Sequence, residues 1–375
     1  MTVEVGIAAG YSDLKNRLVS FLTSNSELVA NGQEWELLGS DDTVSFLRGQ
    51  GLGGTDNIFV NVWTGENSSQ DYYYLGLNGA RGYNSLASVE LQPGVSPSAY
   101  MHSFNTAIPY WFIANGRRFI VLSKVSTTYH CMYAGYFLPA FTPNEYPEPL
   151  YIAGNTSSVT HRWSSNYGDD GNFFQPGDGC AYLLHRDGSW SEVRNHSGGN
   201  TVYHWQNASG VNVYPWYNYR DTRTNIDGSY LTHPAALVGN LAGGNLWGYL
   251  DGVKWISGFA NASENLFAEV DPVFYSGTGT GRMRGVSAEN SAETETWTVT
   301  ATSTSEFTVS GSVSGGQANA DVNVPYDNGS ISFEIVAGQT PYQLGDQYII
   351  TAARFIVIPD IYRSNRWDYA AIRLE

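Results

Sequence analysis

Apolar residues occupy both faces of a predicted three-stranded stretch, residues 108–138, near the centre of the N-terminal half of the chain. Asn115-Gly116 within it is a strong hairpin signal, because both central positions of a type I′ turn require positive φ. A two-residue loop there predicts that Ala114 faces Arg117, Phe112 faces Phe119 and Tyr110 faces Val121. A second reversal is predicted at 126–128, before a strand over 129–138. Half-buried strands usually alternate apolar and polar residues, so this sheet is predicted to be covered on both faces.

Near the start of the chain the apolar residues recur with the period of an α-helix. One amphipathic helix is therefore predicted over residues 11–24. The positions that set the helical spacing are Tyr11, Leu14, Leu18, Phe21 and Leu22. Ser12 or Asp13 is the expected N-cap, since short polar side chains accept hydrogen bonds from the first N–H groups of a helix. From residue 33 onward the pattern favours strands, first over 33–38, 43–48 and 57–63.

Asp-Gly pairs predict further turns in the region between residues 152 and 263. They are Asp187-Gly188, Asp227-Gly228 and Asp251-Gly252. The first and the last are flanked by apolar runs, and each is predicted to join two antiparallel strands. Residues 195–223 are predicted to form a long surface loop, and loops of this length are usually functional or mobile.

The composition changes over residues 285–353, which contain no Lys or Arg and eight acidic residues. This piece alone carries a charge of −8, half of the net charge of −16. Strands are predicted at 295–301, 307–313, 330–336 and 347–352, with a turn at Asp327-Asn328-Gly329. The pattern favours an inserted small β-sandwich-like domain with linkers near 277–284.

The fold class predicted from these patterns is mainly β. A main domain over 1–276, built as an antiparallel sheet or sandwich, carries the single N-terminal helix and long loops. The insert occupies 285–353, and the apolar strands predicted within 354–375 are expected to return to the main domain. A chain of 375 residues is long enough for this two-part organisation.

The net charge of the chain argues against two classes of binding partner. The net charge of −16 comes without any basic stripe, which argues against a nucleic-acid partner and an anionic membrane surface. No signal peptide and no long apolar run are recognised, so synthesis in a cytoplasm and no membrane insertion are predicted. Charged residues make up only 14% of the chain, while aromatic residues also reach 14%. This composition favours a turn-rich β protein with large contact surfaces.

Known catalytic patterns are absent from the sequence. The seven histidines show no zinc-ligand spacing, and there is no G-x-S-x-G elbow and no P-loop. Residues 49–54 match G-x-G-x-x-G, but a strand is predicted after them where a dinucleotide site needs a helix. No spacing singles out a carboxylate pair of the kind that glycoside hydrolysis requires. We therefore predict a non-enzyme without catalytic residues, cofactor or metal; whether Cys131 and Cys180 form a disulfide stays open.

Aromatic side chains are the remaining candidate site residues. Those singled out are Tyr146, Trp205, Tyr214, Trp216 and Tyr217. Tyr and Trp are favoured anchors in protein interfaces, and their rings also stack on sugars. An interface is the preferred interpretation, and a glycan-binding surface formed by the four residues from Trp205 to Tyr217 is the alternative.

Several segments carry a resemblance to a known family. They are residues 46–51 (FLRGQG), 58–62, 92–94, 108–125 with its YWFIANGRRF hairpin, 133–149, 250–255 (LDGVKW) and 363–374. With these segments in this order, the sequence resembles a family of virion structural proteins of tailed bacteriophages. The insert departs from the shorter family pattern and looks like the small β-domains that such proteins often carry.

The resemblance implies a tail or baseplate component, present as repeated copies and without catalytic residues. Its partners would then be other virion proteins and copies of itself, and its location the virion, after synthesis in the host bacterial cytoplasm. A collar or head-decoration role would fit the same features. An adhesin that recognises host-surface glycan is the alternative from a different functional class.

Overall fold

A computed structural model describes most of the chain as two compact units. The described residues are 1–164, 171–173, 176, 179–194, 202–203, 231–239, 246–257, 266–289, 291–358 and 370–374. The first unit comprises Met1–Ala262 and Ile358–Ala371, and the second comprises Ser263–Val357 and Ile372–Glu375. The predicted insert at 285–353 falls inside the second unit, which begins earlier in the chain.

The first unit contains two helices and a long series of strands. They are β1 (Thr2–Ala8), α1 (Tyr11–Ser24), α2 (Ser26–Ala30), β2 (Glu36–Ser40), β3 (Val44–Gly49), β4 (Ile58–Asn67), β5 (Tyr72–Ala80), β6 (Ala99–His102), β7 (Ile108–Ala114), β8 (Arg118–Val125), β9 (Thr128–Tyr136), β10 (Leu138–Pro139), β11 (Leu150–Ala153), β12 (Ala181–Leu184), β13 (Trp190–Arg194), β14 (Val202–Tyr203), β15 (Leu231–Gly239) and β16 (Leu246–Ser257). Short 3₁₀ turns lie at Ser68–Gln70 and Val89–Leu91. The predicted mainly β class is confirmed, and α1 is the predicted N-terminal helix with the predicted bounds. The short helix α2 that follows it was not predicted.

Two antiparallel sheets enclose the core of this unit. One runs in the order β1-β7-β8-β9-β11-β12-β13, and the other in the order β2-β3-β4-β5-β6. The shared core includes Leu14 and Leu18 of α1, Val60 and Leu75 of the second sheet, and Phe112 and Val121 of the first. In β8 and β9 nearly every side chain is buried, so the predicted covering of both faces is confirmed for these two strands. In β7 it is incomplete, because Pro109 and Trp111 are partly exposed on one face.

The predicted N-cap of α1 is wrong. Gly10 occupies the N-cap position and makes no side-chain hydrogen bond. Asp13 instead accepts a hydrogen bond from the Ala9 N–H at 2.8 Å. This carboxylate therefore reaches back over the helix start from the first turn, where negative charge also suits the helix dipole.

The predicted register of the β7–β8 hairpin is wrong by two residues. Ala114 pairs with Phe119 and Phe112 with Val121, because the turn is centred on residues 116 and 117. Asn115 takes the first position of this turn, where its Oδ1 accepts the N–H groups of Arg117 and Arg118 at 2.9 and 3.0 Å. Side chains alternate with a period of two, so the shift leaves every residue on its predicted face.

One predicted Asp-Gly turn is confirmed and another is wrong. Asp187-Gly188 joins β12 to β13 as predicted. Asp251-Gly252 instead lies inside the continuous strand β16, where four residues, 250–253, face the single residue 235 of β15. This large bulge needs a left-handed backbone conformation, and Gly252 supplies it with φ 73°. The remaining pair, Asp227-Gly228, lies outside the described residues.

The second unit is a β-sandwich. Its strands are β17 (Leu266–Val270), β18 (Phe274–Ser276), β19 (Arg282–Ala288), β20 (Glu295–Ala301), β21 (Glu306–Gly311), β22 (Gly315–Gly316), β23 (Ala320–Asp321), β24 (Pro325–Asp327) and β25 (Ile331–Val336). Two later strands, β26 (Gln347–Ile358) and β27 (Ala370–Arg373), contribute residues to both units. The three-stranded sheet β19-β25-β24 covers a sheet centred on β26 and β20.

The core of this sandwich is aromatic and β-branched. It contains Trp297 and Val299 of β20, Phe307 of β21, Phe333 of β25, and Tyr342 with Tyr348. The predicted strands and the turn at 327–329 are confirmed within one or two residues for β20, β21 and β25. One continuous strand, β26, contains both the predicted strand 347–352 and residues 354–358. The expected return to the main domain at residue 354 is therefore wrong, since residues 354–357 belong to the second unit.

Candidate functional site

Three of the segments that carry the family resemblance meet at the β7–β8 turn. The turn itself comes from the NGRR sequence, and Trp35 donates its indole N–H to the Asn115 carbonyl at 2.9 Å. The loop after β3 approaches from one side, where the Gly51 N–H donates to the Gly116 carbonyl at 2.8 Å. Asp251, in the bulge of β16, approaches from another. We call this meeting point of residues 49–51, 115–118 and 251 the motif junction.

A buried ion pair lies at the centre of the motif junction. The Arg118 side chain is fully buried, and its Nε lies 3.4 Å from Oδ2 of Asp251, whose side chain is 15% exposed. The same oxygen accepts a hydrogen bond from Asn115 Nδ2 at 3.0 Å. The guanidinium also donates to the Ile113 carbonyl at 3.2 Å. These polar groups thus contact one another.

Backbone proximity explains the glycines of this junction. A Cβ atom added to Gly116 would lie 2.1 Å from the Gly51 carbonyl oxygen, a distance that no side chain tolerates. Residues 49–51, the first half of the G-x-G-x-x-G match, therefore pack backbone against backbone on the hairpin turn. The strand β4 follows it, as predicted, so the helix that a dinucleotide site requires is replaced by a strand.

Replacement of Gly116 with alanine tests this close approach. The new methyl group would press on a backbone atom that cannot move away without shifting the 49–51 loop, so we expect a loss of about 2 kcal/mol in the free energy of unfolding. Urea denaturation followed by Trp fluorescence measures it. Gly53→Ala is the matched control, because nothing lies within 4 Å of a Cβ at that position. Equal stability of the two variants would contradict the packing argument.

Tyr146, the one candidate interface aromatic within the described residues, lies in the interior. It is only 1% exposed, and its hydroxyl donates to the Leu184 carbonyl. Its ring lies 5.6 to 6.0 Å from the rings of Phe137, Phe141 and Trp247. Burial raises the pKa of the Tyr146 hydroxyl far above its ordinary value. The structure therefore corrects the assignment of Tyr146 as an interface residue, because no ring surface is open to a partner.

Trp205, Tyr214, Trp216 and Tyr217 lie outside the described residues. Their proposed contacts with a partner or with glycan stay predictions. Among the described residues, an aromatic cluster surrounds Trp247. The rings of Phe141, Tyr146 and His185 contact its indole. Burial lowers the pKa of His185, whose Nε2 lies 2.5 Å from Ser191 Oγ.

We expect Tyr146→Phe to lower the free energy of unfolding by about 1 kcal/mol, because it leaves the buried Leu184 carbonyl without this donor. Chemical denaturation measures the change, and self-association measured in parallel should be unaffected. Tyr249→Phe is a suitable control, since Tyr249 is 37% exposed. A variant that folds with wild-type stability but loses self-association would restore Tyr146 as an interface residue.

The histidines and cysteines that the structure describes form no recognisable reactive centre. His102 and His130 are both buried, with ring centroids 5.5 Å apart, and Asn155 Nδ2 lies 3.4 Å from His130 Nδ1. Cys131 and Cys180 are buried thiols. Among the described residues, no group of three or more His, Cys, Asp or Glu side chains is arranged to hold a metal ion.

A shallow depression on the second unit contains two carboxylates. Its volume is about 360 Å³, and Asp327 and Glu334 both line it. Glu334 is held by Arg284, whose guanidinium lies 2.8 and 2.9 Å from its two oxygens. One of the two carboxylates in this depression is therefore engaged in an ion pair.

The strand β1 exposes apolar side chains at the surface of the first unit. Val5 is 62% exposed and Ile7 is 63% exposed, and both project from the same face of the strand. The register places them beside Trp111 and Pro109 of β7, which are partly exposed. We call these four residues the β1 patch.

No protein-family model matches the chain, and no curated protein matches it. Within the described ranges, no helix is long and apolar enough to cross a membrane. Two features of the described residues stand out: the motif junction, in which Arg118 is fully buried, and the β1 patch, which is open to solvent.

Proposed function

We propose that this chain is a non-enzymatic structural subunit of a tailed-bacteriophage particle, placed in the tail or baseplate. Its partners are copies of itself and other particle proteins, and its location is the virion. The sequence resemblance of the segments around residues 46–51, 108–125 and 250–255 is the starting point of this proposal.

The observation that carries the proposal is the use of these segments in the motif junction. Arg118, Asp251 and Asn115 form contacts with one another, and Arg118 is fully buried. In an enzyme family the polar residues of a shared motif would be expected to line an accessible cleft. Here they join distant parts of the chain, as expected for a subunit whose shape is its function.

The test is the protein content of purified particles. Particles from the phage that encodes this chain are banded in a density gradient, and the chain is quantified by mass spectrometry against an abundant head protein. We expect a fixed copy number per particle and enrichment in the tail fraction after heads and tails are separated. A host cytoplasmic protein serves as the contamination control.

If purification removes this chain from the particles at the same rate as the host protein, the proposal is contradicted. Enrichment in the head fraction would retain the structural role but exclude the tail and baseplate. Cryo-electron microscopy of the same particles then locates the chain by the shapes of its two units.

A further inference from the structure

The strand β1 lies at an edge of its sheet. All seven of its residues pair with β7, from Thr2 opposite Ala114 to Ala8 opposite Ile108. No other strand in the described part of the chain pairs with it. An unpaired strand edge presents a row of backbone N–H and C=O groups that can pair with another strand.

Several of the usual protective features of an edge strand, namely Pro, Lys and a β-bulge, are absent from β1. Its sequence, TVEVGIA, contains no Pro and no Lys, and Glu4 is its one charged residue. Glu4 projects to the face opposite Val5, where its Oε1 accepts the Tyr110 hydroxyl at 2.8 Å. The exposed face of this edge therefore carries Val3 and the apolar β1 patch.

We propose that β1 pairs antiparallel with β1 of a second copy of this chain, across a two-fold axis centred on Val5. The inference rests on the proposed function, of which it names one self-contact. In this pairing Val5 faces Val5, Val3 faces Ile7, and the two sheets continue into one another. The two β1 patches lie side by side on one face of the joined sheet.

The sequence of β1 favours a second copy in this one register. With Val5 at the centre all seven residues are paired, and each Glu4 faces Gly6. A register centred on Glu4 would place two carboxylates directly opposite each other, which is destabilising. Two copies that each carry a net charge of −16 repel one another, so an uncharged strip is where they can approach.

This contact is isologous, because the same strand serves both copies. It closes the exposed edge and leaves no free β1 for a third copy. The expected product is a dimer that does not grow into a fibre through this strand.

Sedimentation velocity of the full chain over a range of concentrations tests the contact, with Val5→Lys as the disrupting variant. Val5 is largely exposed, so the variant should keep the fold, which circular dichroism checks. We expect a concentration-dependent dimer for wild type and at least about a tenfold weaker association for Val5→Lys. Leu86→Lys is the matched control: Leu86 is 95% exposed in the same unit, and this variant should dimerise like wild type.

Chemical cross-linking tests the register. A short bismaleimide should link Val5→Cys chains into dimers and should leave Leu86→Cys chains single. Val3→Cys mixed with Ile7→Cys should cross-link faster than either alone, because these positions face each other in the proposed pairing. Wild type measures the background from Cys131 and Cys180, which are buried.

A wild-type chain that stays monomeric at all concentrations would overturn the inference, as would equal association of Val5→Lys and Leu86→Lys. Either result leaves the particle measurement unaffected. A chain that is present in particles but monomeric in solution would refute the β1 contact and keep the structural role.

Discussion

Replacement of Asp251 with alanine is expected to lower the free energy of unfolding of the first unit by about 4 kcal/mol. The variant leaves the Arg118 guanidinium buried without its carboxylate, and removal of one member of a buried pair typically costs about 3 to 5 kcal/mol. Urea denaturation followed by Trp fluorescence suits this measurement. Ten of the eleven Trp residues lie in the sequence ranges of the first unit, and Trp297 is the exception.

Two further variants make this result specific. Glu36→Ala removes one member of the exposed Arg48–Glu36 pair and should cost less than about 1 kcal/mol. The double variant Arg118→Met with Asp251→Ala removes both charges, and we expect it to be more stable than Asp251→Ala alone. If Asp251→Ala costs no more than Glu36→Ala, the ion pair does not stabilise the junction.

Asp346→Asn should destabilise the second unit by about 3 kcal/mol. Asp346 is 5% exposed, and its two oxygens accept hydrogen bonds from the Gln343, Thr278 and Gly279 N–H groups and the Tyr275 hydroxyl, at 3.0 to 3.1 Å. Asparagine offers one oxygen in place of two, so at least one buried donor loses its acceptor. Hydrogen–deuterium exchange of β20 and β26 reports the loss.

Glu295→Gln is the matched control for Asp346→Asn. Glu295 is 7% exposed, and only its Oε1 is used, by the Val313 and Ser314 N–H groups and the Ser314 hydroxyl. An amide oxygen can accept the same three bonds, so we expect a loss below about 1 kcal/mol. Exchange rates that rise equally in both variants would show that the second oxygen of Asp346 is unimportant.

Acid should reproduce the effect of Asp346→Asn. Burial by itself would raise the pKa of Asp346, but the hydrogen bonds that its charged form accepts outweigh burial and hold this pKa below the ordinary 3.8. Its stabilising contribution is therefore complete above about pH 4 and disappears as the pH falls through the lowered folded-state pKa. The wild type should lose this stability in acid, and the variant should show a flatter acid limb.

Local pattern was sufficient for the elements whose partners lie nearby. Leu14, Leu18 and Phe21 have the helical period by themselves, and α1 has the predicted bounds. Asn115-Gly116 predicted a turn correctly but not its centre, because Asn serves equally well at the first position of a turn that its own side chain caps. Sequence alone does not distinguish these two uses of the residue.

The motif junction could not be predicted, because its contacts span long stretches of chain. Asp251 lies 136 residues from Asn115, and Trp35 lies 80 residues from it. Asp251-Gly252 has the local pattern of a hairpin turn. It lies instead in a bulge inside a strand, where Asp251 contacts Arg118. Tyr146 illustrates the same limit, since an aromatic residue between prolines does not reveal which way its ring points. The available sequence signal for the motif junction was that each of its three segments contains a Gly next to polar residues.

The separation between Arg118 and Asp251 also has a consequence for how the chain is made. A ribosome that adds about 5 to 20 residues per second needs on the order of ten seconds to travel from one to the other. During that interval the nascent hairpin carries a cation whose counter-charge has not yet been synthesised. Chains that terminate before residue 251 should therefore be poor at burying this hairpin, and quality control in the cell can recognise them as incomplete.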